Sequence, residues 1–495
     1  MKIIHVAAEV LPYAKTGGLA DVLGALPTVL SGMGNEVAVA LPLYRAVDRE
    51  KHGLQTVIPS LAVPLGDSHI ECQILKCMSK GGLAVYFIAC DPFFDRDKLY
   101  GYADDAERFI VFDRAVIEML KSLDWHPDII HCHDWQTGLI PAFLKSLYAD
   151  GAFYRQTASV YSIHNLAYQG AFPGEGFPLL RLPYEMFNYH ELEFYGQVNP
   201  MKAGLVFADA VVTVSERYAK EIQTPDYGEG LDAALRERKD SVHGILNGID
   251  YEKWNPGSDT LIHQTYDAVN SRGKAENKRF LQERGGLART GRTRVPVIGC
   301  VSRLSSQKGF DLIEAAAPQL MNLEMQFVLL GAGDGYYTKL FEDMARRYPQ
   351  QTYITLGRFD NELAHQIYAG SDFFLMPSRY EPCGLGQLIS LAYGTIPIVR
   401  ATGGLADTIE EYIPGANTGN GFRFDEYSPD ALYRCIERAV KIYRFPPRWK
   451  PLVENALHCD FSWDVSARKY LDLYQQTLCT WPVSCPDLQP LSRIQ

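Results

Sequence analysis

Short apolar runs recur along the chain, each closed by a turn rich in glycine or polar residues and followed by a stretch with helical spacing of its apolar positions. Residues 3–10 form the first run, and the pair Gly17 and Gly18 leads from it into an amphipathic helix from Asp21 onward. The same pattern predicts strands at 36–41, 83–90, 129–132, 159–163 and 210–214. A charged, helix-prone stretch covers 264–294, after which the pattern restarts with strands at 295–301, 325–330, 353–356, 373–376 and 396–400. Alternating strands and helices imply a parallel sheet with helices on both faces. The restart implies an α/β chain with two doubly wound, Rossmann-like domains facing across a cleft. The boundaries expected are 1–246 and 247–464, with the changeover near 247–256. Such sheets bind ligands at the carboxyl ends of their strands, so a cleft of this kind suits two substrates, one held mainly by each domain.

Bulk properties narrow the class. A chain of 495 residues exceeds one ordinary core, and 47% apolar with 22% charged residues is globular composition. A net charge of −11 argues against a nucleic-acid partner, which calls for a basic patch. It leaves room for an anionic small ligand held by a few local cations. His5 and Glu9 interrupt the first apolar run, which makes it a strand and not a secretion signal. No run approaches the ~18 apolar residues that span a membrane. Ten cysteines occur without a C-x-x-C pair, and Cys90, Cys300 and Cys435 sit in apolar surroundings, as reduced cytosolic thiols do. The tail from Trp481 is the one segment whose composition suggests disorder.

Five segments carry candidate chemistry. Lys15 stands before the Gly17–Gly18 turn at the top of the first strand, where a cation meets a phosphate or sugar oxygen. The hexapeptide Thr-Gly-Gly-Leu-Ala-Asp at 16–21 returns at 402–407, so Thr402, Gly403 and Gly404 echo it in the second half. The echo fits duplication or convergence equally. In each copy the glycines precede a helix, whose unpaired N–H groups suit an anion; a tight turn without a ligand is the alternative. Arg303 and Lys308 lie five residues apart on a loop after the strand ending at Val301. An Arg fork with a Lys point charge neutralises a diphosphate, and charge gathers on such a leaving group as its bond breaks. Glu381 follows the strand at 373–376, in a sharp turn with Pro382, Cys383, Gly384 and Leu385. A carboxylate there binds sugar hydroxyls or stabilises an oxocarbenium-like transition state. His131, Cys132 and His133 resemble a metal cluster by spacing. In a strand, however, Cys132 points away from the two histidines, and Asp134 with Trp135 in a sugar site is the preferred reading. His164 and Asn165, at the end of the strand at 159–163, complete the set.

These segments resemble bacterial glycogen synthases and plant starch synthases. The likeness is carried by Lys15-Thr16-Gly17-Gly18-Leu19, His133-Asp134-Trp135, the run from Ile163-His164-Asn165 to Gly170, Asn247-Gly248-Ile249-Asp250, Ser302-Arg303-Leu304 with Lys308-Gly309, and Glu381-Pro382-Cys383-Gly384-Leu385. It runs in the family's order over about residues 2–475. The resemblance implies a GT-B fold whose last helix, about 465–480, packs back on the N-terminal domain. It implies transfer of glucose from ADP-glucose to the non-reducing end of an α-1,4-glucan such as glycogen, with retention of configuration and no metal or other cofactor. Lys15 would contact the donor. Arg303 and Lys308 would hold the diphosphate with backbone amides near Thr402 to Gly404. Glu381 would serve the donor sugar near the reacting carbon, His164 would support it, and Asp134 and Asn247 would complete its pocket. Gln136, Glu216 with Arg217, and Ala233 depart from the family pattern without removing a proposed catalytic group. No residue excludes UDP as the donor's nucleotide. A phosphorylase with lysine-bound pyridoxal phosphate, a nucleotide-sugar epimerase and an inert glucan-binding regulator are the competing readings.

Overall fold

A computed structural model describes residues 1–287, 295–358 and 360–480; the end of the charged stretch and the tail from Trp481 lie outside them. The chain divides into two compact units. The first holds Met1–Val214, Ala219–Ile245 and the helix Trp463–Thr480; the second holds Ser215–Tyr218 and Leu246–Ser462.

The strands of the first unit are β1 (Lys2–Val6), β2 (Glu36–Pro42), β3 (Gln55–Leu65), β4 (Ser68–Met78), β5 (Ala84–Ala89), β6 (Ile129–His133), β7 (Ala158–Ile163), β8 (Phe172–Pro173), β9 (Glu193–Phe194), β10 (Gln197–Val198), β11 (Ala210–Thr213) and β12 (Val242–Gly244). The main sheet runs β12-β11-β7-β6-β1-β2-β5-β4-β3, and β8-β10-β9 form a small separate sheet. From β1 the chain builds outward through β2 and β5 on one side, then returns to build β6, β7, β11 and β12 on the other. These strands pair in parallel. Covered on both faces, they read as near-continuous apolar runs: Ile3, Ile4, Val6, Ile129 and Ile130 are fully buried. The antiparallel hairpin β3–β4 went unread. Its edge strand is mostly exposed and carries Pro59 and Pro64, which an edge tolerates.

The second unit has one parallel sheet of β13 (Val297–Leu304), β14 (Gln326–Gly333), β15 (Thr352–Leu356), β16 (Phe373–Met376), β17 (Ile396–Arg400) and β18 (Phe422–Phe424), in the order β15-β14-β13-β16-β17-β18. In chain order that is 3-2-1-4-5-6, the doubly wound arrangement whose ligand crevice opens beside the first strand. The first strand is longer than expected. Ser302, Arg303 and Leu304 pair with Gly331, Ala332 and Gly333, so Arg303 stands on a strand end and not on a loop. The glycines make this possible: a Cβ on Gly331 would lie 2.7 Å from Leu304 Cδ2, and one on Gly333 2.4 Å from the Leu304 carbonyl.

The helix Trp463–Thr480 closes the first unit. Tyr470 and Tyr474 are fully buried, and the Tyr474 hydroxyl lies 2.7 Å from His131 Nδ1 on β6. Tyr474→Phe leaves that buried nitrogen without a partner, at a cost of about 1–3 kcal/mol. The first thermal transition of the full chain is expected to fall by roughly 2–4 °C or more. An unchanged melting curve contradicts the role of this contact.

Candidate active site

In the first unit the predicted residues gather at the carboxyl ends of β1, β6 and β7. Two of the loop amides expected to be open are engaged. The Glu9 carboxylate, 3% exposed, accepts from the amides of Thr16 (2.5 Å) and Gly17 (2.8 Å), from Thr16 Oγ1 (2.6 Å) and from the Tyr100 hydroxyl (2.5 Å). A buried carboxylate needs several donors, and the glycine turn supplies them. Lys15 Nζ lies 2.7 and 2.8 Å from the Asp21 carboxylate, on the first turn of the helix Leu19–Gly32 that starts after Gly18. Glu9 and Tyr100 were missed as site residues; the one signal was a carboxylate inside an apolar run.

Asp134 follows β6 with φ 58° and ψ −176°, a conformation that costs a non-glycine residue on the order of 1–3 kcal/mol. Its side chain offsets this by accepting from the amides of His164 (2.8 Å) and Asn165 (3.4 Å), which ties the ends of β6 and β7 together. Burial pushes its carboxyl up to about 7. Asn165 Oδ1 in turn accepts from Ala167 N (3.1 Å) and shapes the next turn. Trp135 is not an open stacking platform: its ring meets Phe109 edge-on at 4.9 Å, and a Cβ on Gly170 would lie 2.1 Å from it.

Four histidines converge behind this loop. Imidazole nitrogens of His5 and His133 lie 3.1 Å apart, those of His133 and His164 3.0 Å, and His131 bonds to Tyr474 and Ser162. His5, His131 and His133 are the only group among the described residues with metal-like ligand spacing. Both nitrogens of His131 and of His133 already face protein partners, so the set is poorly suited to a metal. Burial pushes His5 and His164 down to about 3, and it holds His131 and His133 well below the ordinary range, helped by the neighbouring imidazoles.

In the second unit Arg303, Lys308, Glu381 and Leu385 line one cavity of about 200 Å³, between the ends of β13 and β16 where the strand order reverses. Lys308 Nζ lies 2.7 and 3.0 Å from the Glu381 carboxylate, which also accepts from Ser378 Oγ at 2.9 Å. Lys308 is held there by Gly309, at φ 72°, where a Cβ would meet the Pro377 carbonyl at 2.0 Å. The Arg303 guanidinium is exposed and has no partner among the described residues, so the pocket's uncompensated positive charge is its own.

The Thr402–Gly404 turn packs onto the turn that carries Glu381. Cβ atoms on Gly403 and Gly404 would lie 2.0 Å from the Glu381 carbonyl and 2.1 Å from that of Cys383. The Gly404 amide donates to the carbonyls of Glu381 and Pro382, both at 3.1 Å, so this copy too spends an amide inside the protein. Gly384, at φ 74°, shapes the turn against Gln387. Asn247 sits beside the buried Cys383, its backbone N–H toward the thiol and its Oδ1 buried without a partner among the described residues.

Comparison with known proteins fits this geometry. Residues 2–237 match the model of the starch synthase catalytic domain, and 289–455 match that of group 1 glycosyl transferases. A glycogen synthase of Moorella thermoacetica is 49% identical over 482 residues, 97% of each chain. One of Koribacter versatilis is 47% identical, over 96% of this chain and 98% of its own. The chain belongs to the glycogen and starch synthase family. It is a glucosyltransferase of the two-domain GT-B type. The solved catalytic domain of starch synthase IV from Arabidopsis thaliana, bound to ADP and acarbose, is 35% identical with a TM-score of 0.88, over 97% of this chain and 99% of that one. No helix among the described residues of this synthase is long and apolar enough to cross a membrane.

The Lys308–Glu381 pair is 17% and 8% exposed. Breaking such a pair strands one buried charge, at roughly 3 kcal/mol. Lys308→Met and Glu381→Gln are each expected to lower stability by about that much, and the double variant to recover most of the loss. Purely additive losses in denaturant melts contradict the pairing.

Proposed function

We propose that this synthase transfers glucose from ADP-glucose to the non-reducing end of an α-1,4-glucan, glycogen being the natural acceptor, with retention of configuration. One observation carries the assignment of the donor: Arg303, Lys308 and Glu381 meet in one cavity at the point where the second sheet reverses its strand order. That is where a doubly wound sheet holds a nucleotide. Arg303 supplies the unpaired charge for the diphosphate. Lys308 is shared between the diphosphate and Glu381, so the cation gains a second anion as charge builds on the leaving group, a gain realised in the transition state. The bond from the anomeric carbon to the diphosphate oxygen breaks, a bond to the acceptor's 4-hydroxyl oxygen forms on the same face, and that hydroxyl's proton passes to the diphosphate. Glu381 serves the donor sugar near the reacting carbon. Asp134, Asn165 and His164 receive the sugar, with Lys15 and the Gly17–Gly18 turn on the donor's phosphate side. Thr402, Gly403, Gly404, Gly384 and Asn247 shape the pocket through backbone packing. ADP is supported by its presence in the starch synthase IV structure. The reading extends to a cytoplasmic setting, supported by unpaired, buried thiols such as Cys300 and Cys435.

The direct test is glucosyl transfer from ADP-glucose and UDP-glucose to a glycogen primer. Faster transfer from ADP-glucose is expected, and equal or preferred use of UDP-glucose overturns the donor assignment. Lys308→Ala is expected to lower kcat by roughly 10²–10³-fold. A change confined to KM contradicts the transition-state role of this lysine.

A further inference from the structure

The buried end of β1 contains a residue that packing alone does not explain. Ile3, Ile4 and Val6 are fully buried in the centre of the first sheet, and so is His5 between them. An aliphatic residue fits such a strand at no polar cost. His5 instead places two nitrogens in the core, and its Nε2 has no partner among the described residues. An unpaired buried polar atom is rare and costly enough to need a reason. The other nitrogen, Nδ1, lies 3.1 Å from His133 Nε2, and His133 Nδ1 lies 3.0 Å from His164 Nε2. That leaves His164 Nδ1, the outer end of the chain, with no partner among the described residues. His164 is the one member of the three with exposed surface.

A neutral imidazole has one N–H and one lone pair. Three of them joined end to end therefore carry their protons in one direction only, and the tautomer of the innermost ring dictates that of the outermost. Burial keeps all three rings neutral, as their lowered pKa values express. Two directions are possible. In one, His5 leaves an N–H orphaned in the core. In the other it leaves a lone pair, the less rare of the two defects. The second direction puts a proton on Nδ1 of His164.

We infer that His5 is a positioning residue for His164: through His133 it fixes the His164 tautomer, so that Nδ1–H is presented as a donor to a hydroxyl oxygen of the sugar. This rests on the reading of His164 as a sugar-facing residue.

His5→Leu and His5→Asn separate positioning from packing. Leucine removes the orphaned nitrogen but leaves His133 Nε2 without its partner, so the melting temperature of the full chain is expected to fall by no more than a few degrees. Glucosyl transfer is expected to fall roughly 10–100-fold in kcat, the usual range for a partner that orients a working histidine. Asparagine returns a donor at the position of Nδ1 and is expected to recover most of that loss. ¹⁵N spectra of histidine-labelled wild-type protein are expected to show His164 protonated on Nδ1, and in His5→Leu that signal shifts or averages. Wild-type activity in His5→Leu, an unmoved His164 signal, or a wild-type His164 protonated on Nε2 overturns the inference. His164→Ala is the control for the underlying reading. If it transfers glucose at the wild-type rate, that reading fails. If it is impaired while His5→Leu is not, only the inference fails.

Discussion

A parallel sheet that grows outward in both directions from its first strand must send its two central crossovers to opposite faces. The carboxyl ends of the two middle strands are then left without a covering helix. Both units of this chain are built that way, with β1 beside β6 in the first and β13 beside β16 in the second. The groups assigned to chemistry stand in those two openings. Lys15, Asp134 and His164 follow β1, β6 and β7, while Arg303, Lys308 and Glu381 lie at β13 and β16. The polar groups are tolerated at the edge of an apolar core because they satisfy one another. Glu9 collects amide and hydroxyl donors, and Glu381 takes Lys308 and Ser378.

Such pairing contributes little stability, since a well-packed apolar core does as well or better. Its consequence is geometric. A carboxylate held by a lysine and a hydroxyl cannot swing away, and the lysine is fixed in turn by its carboxylate. Glycines set the distances. Gly309, Gly403 and Gly404 let backbone approach backbone where any side chain would collide, which brings the loops after β13 and β17 onto the turn after β16. The same economy explains the repeated hexapeptide. In both copies amides serve the protein's own carboxylate or carbonyls, so the motif builds a rigid turn and presents its neighbours, Lys15 in one case and Glu381 in the other.

Much of this was legible in the chain because doubly covered parallel strands leave near-continuous apolar runs, and the catalytic candidates sit at their ends. Arg303, Lys308 and Glu381 could be placed together for that reason, although Arg303 lies on the strand and not beyond it. What stayed hidden depends on contacts between distant residues. In the β3–β4 hairpin the longest apolar stretch, 61–65, contains Pro64, and polar residues interrupt the rest. The bond between His131 and Tyr474 joins residues 343 apart, and the one between His5 and His133 joins residues 128 apart. A histidine inside an apolar run looks locally like an interruption, and its meaning appears only when the neighbouring strands are in register.

The central claim is that the second unit's opening is a diphosphate site whose net positive charge comes from Arg303. Titration calorimetry of ADP into the full chain, with wild type and Arg303→Gln side by side at two salt concentrations, tests it most directly. Wild type should bind ADP with an affinity that falls as salt rises, and Arg303→Gln should bind roughly tenfold or more weakly, the worth of a lost charge-assisted hydrogen bond. Equal affinity in the two proteins would contradict the account.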